Sequence, residues 1–238
     1  MPTTKPKKVY WVRHGYSESN YIRDSNPLQF IRDKVMNSVR SERIDPALTN
    51  FGVAQAKALR HVPLVQRKDK VRCCSASYRA IQTAYYAFPK KKIFVIPFVH
   101  EKGGRNVPQI TNDQEYRALK RRCSGYKNID WSILDNIPKT PELGNISWGL
   151  FNSRIRPKLP KRDIIIVSHS KTIKEQLGRA NDVLNCGVYS STEIEYPTGD
   201  NHGKLVYKAG KYSLLFKGQM VPYIKYFNRY QVRKFGLA

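Results

Sequence analysis

The run DIIIVSHS, Asp163–Ser170, decides the fold. Ile164, Ile165, Ile166 and Val167 are four consecutive β-branched residues. A strand with one wet face would alternate apolar and polar residues. A run without alternation is buried on both faces, as a strand of a parallel sheet is when helices cover it from either side. Ser168 and His169 follow directly, where such a strand would leave the core.

Working outward, the same grammar recurs. Lys8–Val12 is a short β-branched and aromatic run that ends before Gly15, and Val71–Ser75 and Ile93–Ile96 are two more, the latter stopped by Pro97. Helices are predicted between them. Thr49 or Asn50 can cap a segment in which Val53, Ala56, Leu59 and Val62 recur at helical spacing. Tyr78–Phe88 is a second helix, closed by Pro89. Thr111–Arg122 is a third and Thr172–Ala180 a fourth. Alternating strands and helices predict an α/β protein, a three-layer α/β/α sandwich with a mostly parallel central sheet. Ligands of such sheets gather beyond the carboxyl ends of the strands. Lys204–Tyr207 and Tyr212–Phe216 are expected as two further strands around the turn Ala209-Gly210-Lys211.

The 238 residues suit one domain, 1–238. Residues 102–161, with Pro and Gly at intervals, are expected to form a cap or insertion over the sheet. Residues 217–238 form a basic and aromatic C-terminal segment. Its rings and cations can stack single-stranded nucleic acid or pack as a last helix under extended lysines and arginines. A hydrophobic content of 40% excludes a disordered chain. No apolar run approaches the roughly 20 residues of a membrane helix. MPTTKPKK lacks the apolar core of a signal peptide, so an intracellular, cytoplasmic protein is expected. Cys73, Cys74, Cys123 and Cys186 do not have zinc-site spacing and are expected as free thiols. The net charge of +25 is the unusual total. It suits a polyanionic neighbour (nucleic acid, an acidic surface or a phosphorylated substrate), or serves solubility alone.

Three charged segments sit at predicted strand ends: Arg13-His14 after the first strand, Arg79 after the second, and His169 after Ile164–Ser168. Glu101 follows the third strand. All can converge on one rim. A histidine such as His14 can be a packing residue, a metal ligand or a nucleophile, and the company it keeps favours phosphate. Two guanidinium forks match phosphate oxygens. A neutral imidazole can attack phosphorus while cations offset the charge on the equatorial oxygens. A carboxylic acid can protonate the leaving alcohol and then take a proton from water. The cations supply what a metal would, so no metal and no other cofactor is expected.

Arg13-His14-Gly15 resembles the RHG signature of the histidine phosphatase superfamily, with its phosphoglycerate mutase-like fold. Asp45–Leu59 (DPALTNFGVAQAKAL), Cys74–Ala84 (CSASYRAIQTA) and Ile164–Ser170 (IIIVSHS) resemble three further segments of that family, in the same order. The resemblance implies a metal-independent phosphomonoesterase with His14 as nucleophile and phosphohistidine carrier. It implies Arg13, Arg79 and His169 as the phosphate pocket, Asn20 and Ser17 as outer members, and Glu101 as proton donor. Asp113 and Glu115 are the competing carboxylates. His61, His100 and His202 match nothing in the family pattern and are expected as structural or exposed. Gly52 is expected as a helix-packing position.

The departures concern substrate choice. Tyr16 stands where the family usually has Glu or Gln, and Ser170 where it usually has Gly. Glu101 is followed by Lys102-Gly103-Gly104-Arg105-Asn106 rather than the mutases' His-Tyr-Gly-Gly, which favours a phosphatase over a mutase. The substrate implied is a phosphorylated small molecule or macromolecule. A catalytically weak protein that binds nucleic acid or another polyanion through its basic surface is the alternative.

Overall fold

The computed structural model describes residues 8–25, 45–101, 110, 112–144, 146–176 and 183–192. Among these residues six strands form one sheet: β1 Lys8–Arg13, β2 Val71–Ser75, β3 Ile93–Ile96, β4 Ile129–Asp130, β5 Ile164–Ser168 and β6 Val188–Thr192. Their order is β4-β3-β2-β5-β1-β6. The first five run parallel, and β6 lies antiparallel on β1 at one edge. The longer helices among the described residues are α1 Glu18–Ser25, α2 Asn50–Ala58, α3 Tyr78–Ala87, α4 Asp113–Arg122 and α5 Ser170–Gln176.

The sheet is sandwiched as β5 foretold. Tyr10, Ile165 and Arg72 stand side by side in register and so share a face. The Arg72 guanidinium on that face lies over Phe88, the cap of α3. Trp11, Ile166 and Cys73 share the other face, where Trp11 meets Trp148 and Trp148 stacks on Phe151. Ile164–Val167 are fully buried between the two layers. Each such side chain contributes about 1.5–3 kcal/mol through its removal from water.

Two strands were not anticipated. β4 has two residues, too few to show a period, and β6 has serines in its middle, as an edge strand can. Residues within 102–161 supply β4 and also bury Ile133, Leu134, Leu143, Phe151 and Ile155 in the core. The helix expected at Thr172 begins at Ser170, and residues 177–180 lie outside the described part. So do the two expected C-terminal strands and the whole of 217–238.

Register fixes the rim. Arg13 pairs with Ser168, Cys74 with Val167, and Ser75 with Ile96. The carboxyl ends of β1, β5, β2 and β3 are therefore flush, and the residues after them meet. The opposite rim is stapled by Asp163. It accepts from the Lys8 amide at 3.0 Å and from the buried Lys70 ammonium at 2.9 Å. Lys70 also lies over the Tyr10 ring.

Candidate active site

Arg79 is the hub of the carboxyl rim. It sits in the first turn of α3, immediately after β2, and is 5% exposed. Its Nε donates to His14 Nε2 at 3.3 Å, and its Nη2 lies 3.3 Å from His169 Nδ1 and 3.8 Å from Glu101 Oε2. Glu101 Oε2 is also 3.3 Å from His169 Nδ1. Four residues that are 14, 79, 101 and 169 in the chain thus surround one point. Asp113 and Glu115 stand in the first turn of α4, Asp113 exposed and Glu115 half-buried.

The loop after β1 is held from several directions. The His14 ring puts Nδ1 at 2.7 Å from the Gly15 carbonyl. A carbonyl only accepts, so Nδ1 carries the proton and Nε2 keeps its lone pair. The Gly15 amide donates to Thr83 Oγ1, and the Tyr16 amide to Gln55 Oε1. Asn185 Nδ2 donates to the His14 carbonyl at 2.8 Å. Gly15 and Gly52 face each other: a Cβ on Gly15 would meet the Gly52 oxygen at 2.6 Å, and one on Gly52 the Tyr16 oxygen at 2.0 Å. This confirms Gly52 as a packing position, with Thr49 capping the same turn through the Gly52 amide.

The other expected members fall into two groups. The Asn20 side-chain Oδ1 accepts from both the amide and the hydroxyl of Ser17, so these two brace each other at the start of α1. Arg13 donates to the Val183 carbonyl. Its field still reaches His14. Asp45, which sequence reasoning passed over although it opens one of the motif segments, is buried with a left-handed φ of 54°. It accepts from the Tyr78 amide at 2.6 Å and lies 3.5 Å from Arg79 Nη1, so it fixes the guanidinium from behind. Such backbone strain persists where the surroundings over-determine a residue.

The electrostatics follow from burial beside cations. Burial, then Arg79, His169 and Arg13, holds His14 well below the ordinary histidine range, against the pull of the Gly15 carbonyl. Burial and Arg79 lower His169 despite Glu101. Burial pushes Glu101 up, but the His169 contact, the Arg79 charge and the Lys171 amide prevail and bring it to about 2. Burial pushes Asp45 up to about 6, with Arg79 and the Tyr78 amide opposing.

His14, His169 and Glu101 present donor atoms within 4.8 Å of one another, a set that can hold a cation. Here the Arg79 guanidinium stands among them, in contact with all three. A permanent cation at that place makes the cluster a poor metal site and a good anion site. Tyr16, one of the departures from the family pattern, donates to Asp24 at 2.8 Å and sets its ring edge-on to Phe51. Ser170 opens α5. His100 was set aside in the sequence; it is buried and touches the cluster through Ser75.

No protein-family model matches the chain, and no curated protein matches it. Solved structures do align with it. The ecdysone phosphate phosphatase of Bombix mori, in complex with tungstate, is 14% identical over 86% of this chain and 99% of its own, with a TM-score of 0.46. The phosphoserine phosphatase of Entamoeba histolytica, in complex with 3-phosphoglyceric acid, is 17% identical over 84% and 95%, with a TM-score of 0.42. The alpha-ribazole phosphatase of Shigella flexneri is 17% identical over 84% and 100%, with a TM-score of 0.40. These neighbours are phosphatases. At such identities and scores their activities do not transfer, and what this site can do rests on its own residues.

Proposed function

We propose that the chain hydrolyses phosphate monoesters through a phosphohistidine on His14, as a phosphatase of the histidine phosphatase type. The observation that carries the reading is the pairing of a tautomer-locked imidazole with a guanidinium: His14 Nδ1 against Gly15, His14 Nε2 against Arg79 Nε. A lone pair aimed at a buried permanent cation is the arrangement a phosphoryl group completes, its oxygens taking the guanidinium and its phosphorus facing the nitrogen.

The steps then follow. The Nε2 lone pair forms a bond to phosphorus as the P–O bond to the leaving group breaks. Arg79, Arg13 and His169 offset charge on the three equatorial oxygens. The leaving oxygen takes a proton. Water next attacks phosphorus, giving a proton to the Glu101 carboxylate, the P–N bond breaks, and His14 and inorganic phosphate are released. Glu101 rests as a carboxylate, at about 2. To act as the acid it must take up a proton, which becomes favourable when a phosphate enters and cancels the fields of Arg79 and His169. The substrate's own monoanion can bring that proton in. The charge of +25 favours a substrate with anionic character beyond the ester itself.

The test is hydrolysis of p-nitrophenyl phosphate with EDTA present, wild type against His14→Ala, with mass-spectrometric capture of phosphohistidine at His14. Turnover should fall by a factor of at least about a thousand in the variant, as when other enzymes lose a nucleophile. Full activity in His14→Ala would end the reading.

A further inference from the structure

The buried side of the pocket holds a hydroxyl bridge between two histidines that the steps above do not use. Ser75, the last residue of β2, places Oγ 3.1 Å from His169 Nε2 and 3.1 Å from His100 Nδ1. His100 is 1% exposed, its carbonyl accepts from Thr172 Oγ1, and its Nε2 has no hydrogen-bond partner among the described residues. Ser77 Oγ is a second hydroxyl near His169 Nε2, at 3.3 Å. On its other side His169 faces Glu101, Arg79 and the His14 ring.

Hydrogen-bond polarity in this row can be worked out from its ends. A buried N–H without an acceptor is costlier and rarer than a buried lone pair without a donor. The unpartnered Nε2 of His100 is therefore the lone-pair nitrogen, and Nδ1 carries the proton. That N–H donates to Ser75 Oγ. The Ser75 hydroxyl keeps its own proton to give, and His169 Nε2, 3.1 Å away, is placed to accept it. His169 must then carry its proton on Nδ1, which faces the Glu101 carboxylate. At the far end Nδ1 stands 3.3 Å from both the Glu101 carboxylate, which accepts its proton, and Arg79 Nη2, a donor that this polarity leaves to Glu101 and to an incoming phosphate.

We infer that His100 is a positioning residue: acting through Ser75, it holds His169 in the tautomer that presents an N–H from Nδ1 to Glu101 and to a phosphate oxygen. Burial, with His169 and Arg79 as lesser causes, brings His100 down to about 3, so it stays neutral and the polarity of the row is constant through the working pH range. Replacing it with an apolar residue frees the Ser75 oxygen to accept, and His169 can then place its proton on Nε2 instead. Nδ1 then offers the phosphate no hydrogen, and the lone pair that takes its place repels the phosphate oxygens.

The inference rests on the phosphatase reading for its consequence, but not for its test. Nitrogen NMR of protein labelled at histidine reads the tautomer of His169 directly, with no turnover needed. Wild type should show the His169 proton on Nδ1. His100→Leu should shift population toward Nε2, and His100→Asn, whose side-chain amide can donate to Ser75 from nearly the same place, should restore it. In parallel, kcat should fall roughly tenfold in His100→Leu with KM changed less than about twofold, and recover in His100→Asn. A wild-type proton on Nε2, or the same His169 tautomer in wild type and His100→Leu, overturns the inference. If wild type hydrolyses no phosphomonoester, the phosphatase reading fails while the spectra still decide the role of His100. Should His100→Leu not fold, the wild-type tautomer and the spectra of Ser75→Ala, which cuts the same link, decide it: a proton that stays on Nδ1 in Ser75→Ala overturns the inference.

Discussion

The two ends of the same four strands treat charge in opposite ways. At the amino end, Asp163 takes the Lys8 amide and the Lys70 ammonium together. Nearby, Arg72 donates to the carbonyls of Lys70, Val65 and Arg67. Those charges serve the fold. At the carboxyl end, Arg79 has contacts of 3.3–3.8 Å to two histidines and two carboxylates, and its Nη1 has no hydrogen bond among the described residues. Buried charge without close partners is expensive to maintain. In the proposed reaction, a rim built so loosely around a cation gains its close partners when the phosphate arrives. The difference separates what holds the sheet from what the sheet holds in place.

Substitution at the two rims should split activity from stability. Arg79→Ala should reduce kcat/KM about a thousandfold, in line with removing a donor that meets developing charge. Its melting temperature should change little, because Asp45, already raised to about 6, can take a proton once its cation is gone. Steady-state kinetics beside thermal denaturation makes the comparison. A variant that melts early but turns over normally would reverse the roles of the two rims.

Glu101 sharpens the same contrast through the leaving group. Glu101→Gln should slow hydrolysis of an alkyl phosphate by about a hundredfold, the ordinary worth of a general acid. It should slow p-nitrophenyl phosphate far less, since that leaving group needs no proton. The wild-type pH profile carries a matching sign. Glu101 at about 2 is ionised throughout pH 5–8 in the free protein, and burial beside Arg79 holds His14 well below the ordinary histidine range. The proton must then enter with the substrate. kcat/KM should fall as pH rises through the second phosphate pKa, about 6. A profile that rises across that range would remove the proton-carrying substrate from the scheme.

Gly52→Ala tests how rigidly the working rim is held. Its Cβ would lie 2.0 Å from the Tyr16 carbonyl oxygen, so backbone must move on one side or the other. A cost of about 2 kcal/mol or more is expected, the usual scale for forcing atoms into a packed interior. The loop that orients His14 is the part displaced, so activity should fall along with stability. Chemical denaturation and kinetics on the one variant check both.

How much of this was legible in the sequence depends on the distance over which a residue acts. β5 could be read because four apolar residues in a row carry their own explanation. His14, Arg79, Glu101 and His169 could be placed because each follows a strand, and parallel strands bring their ends together. Asp45, Thr83, Gln55, Asn185 and His100 could not be placed in that way. Each does its work on a residue between 25 and 171 positions away, and none shows that partner in its neighbours. Thr83 and Gln55 lay inside recognised motif segments without an assigned role. His100 stood one residue before Glu101 with only its burial and the Ser75 bridge to mark it, and both are properties of the fold.

The smallest effect belongs to the quiet rim. Asp163→Asn removes the countercharge of Lys70, whose side chain is 1% exposed, and should cost about 1–2 kcal/mol at neutral pH, less than a fully buried pair because Asp163 itself is 28% exposed. Activity should stay within about twofold, since the substitution lies at the far end of β5 from His169. Burial alone would raise the Asp163 carboxyl, but the Lys8 amide and Lys70 hold it below the usual carboxylate range. A carboxyl lowered in the folded state stabilises above its unfolded pKa, about 3.9, and the benefit is lost as pH falls through the folded value. Wild type and Asp163→Asn should therefore differ at pH 7 and begin to converge as pH falls below about 4. Denaturant midpoints across that range measure it. Curves that stay parallel down to pH 3 would mean that the staple works through packing, with Lys70 on the Tyr10 ring carrying the rim and the carboxylate charge adding nothing.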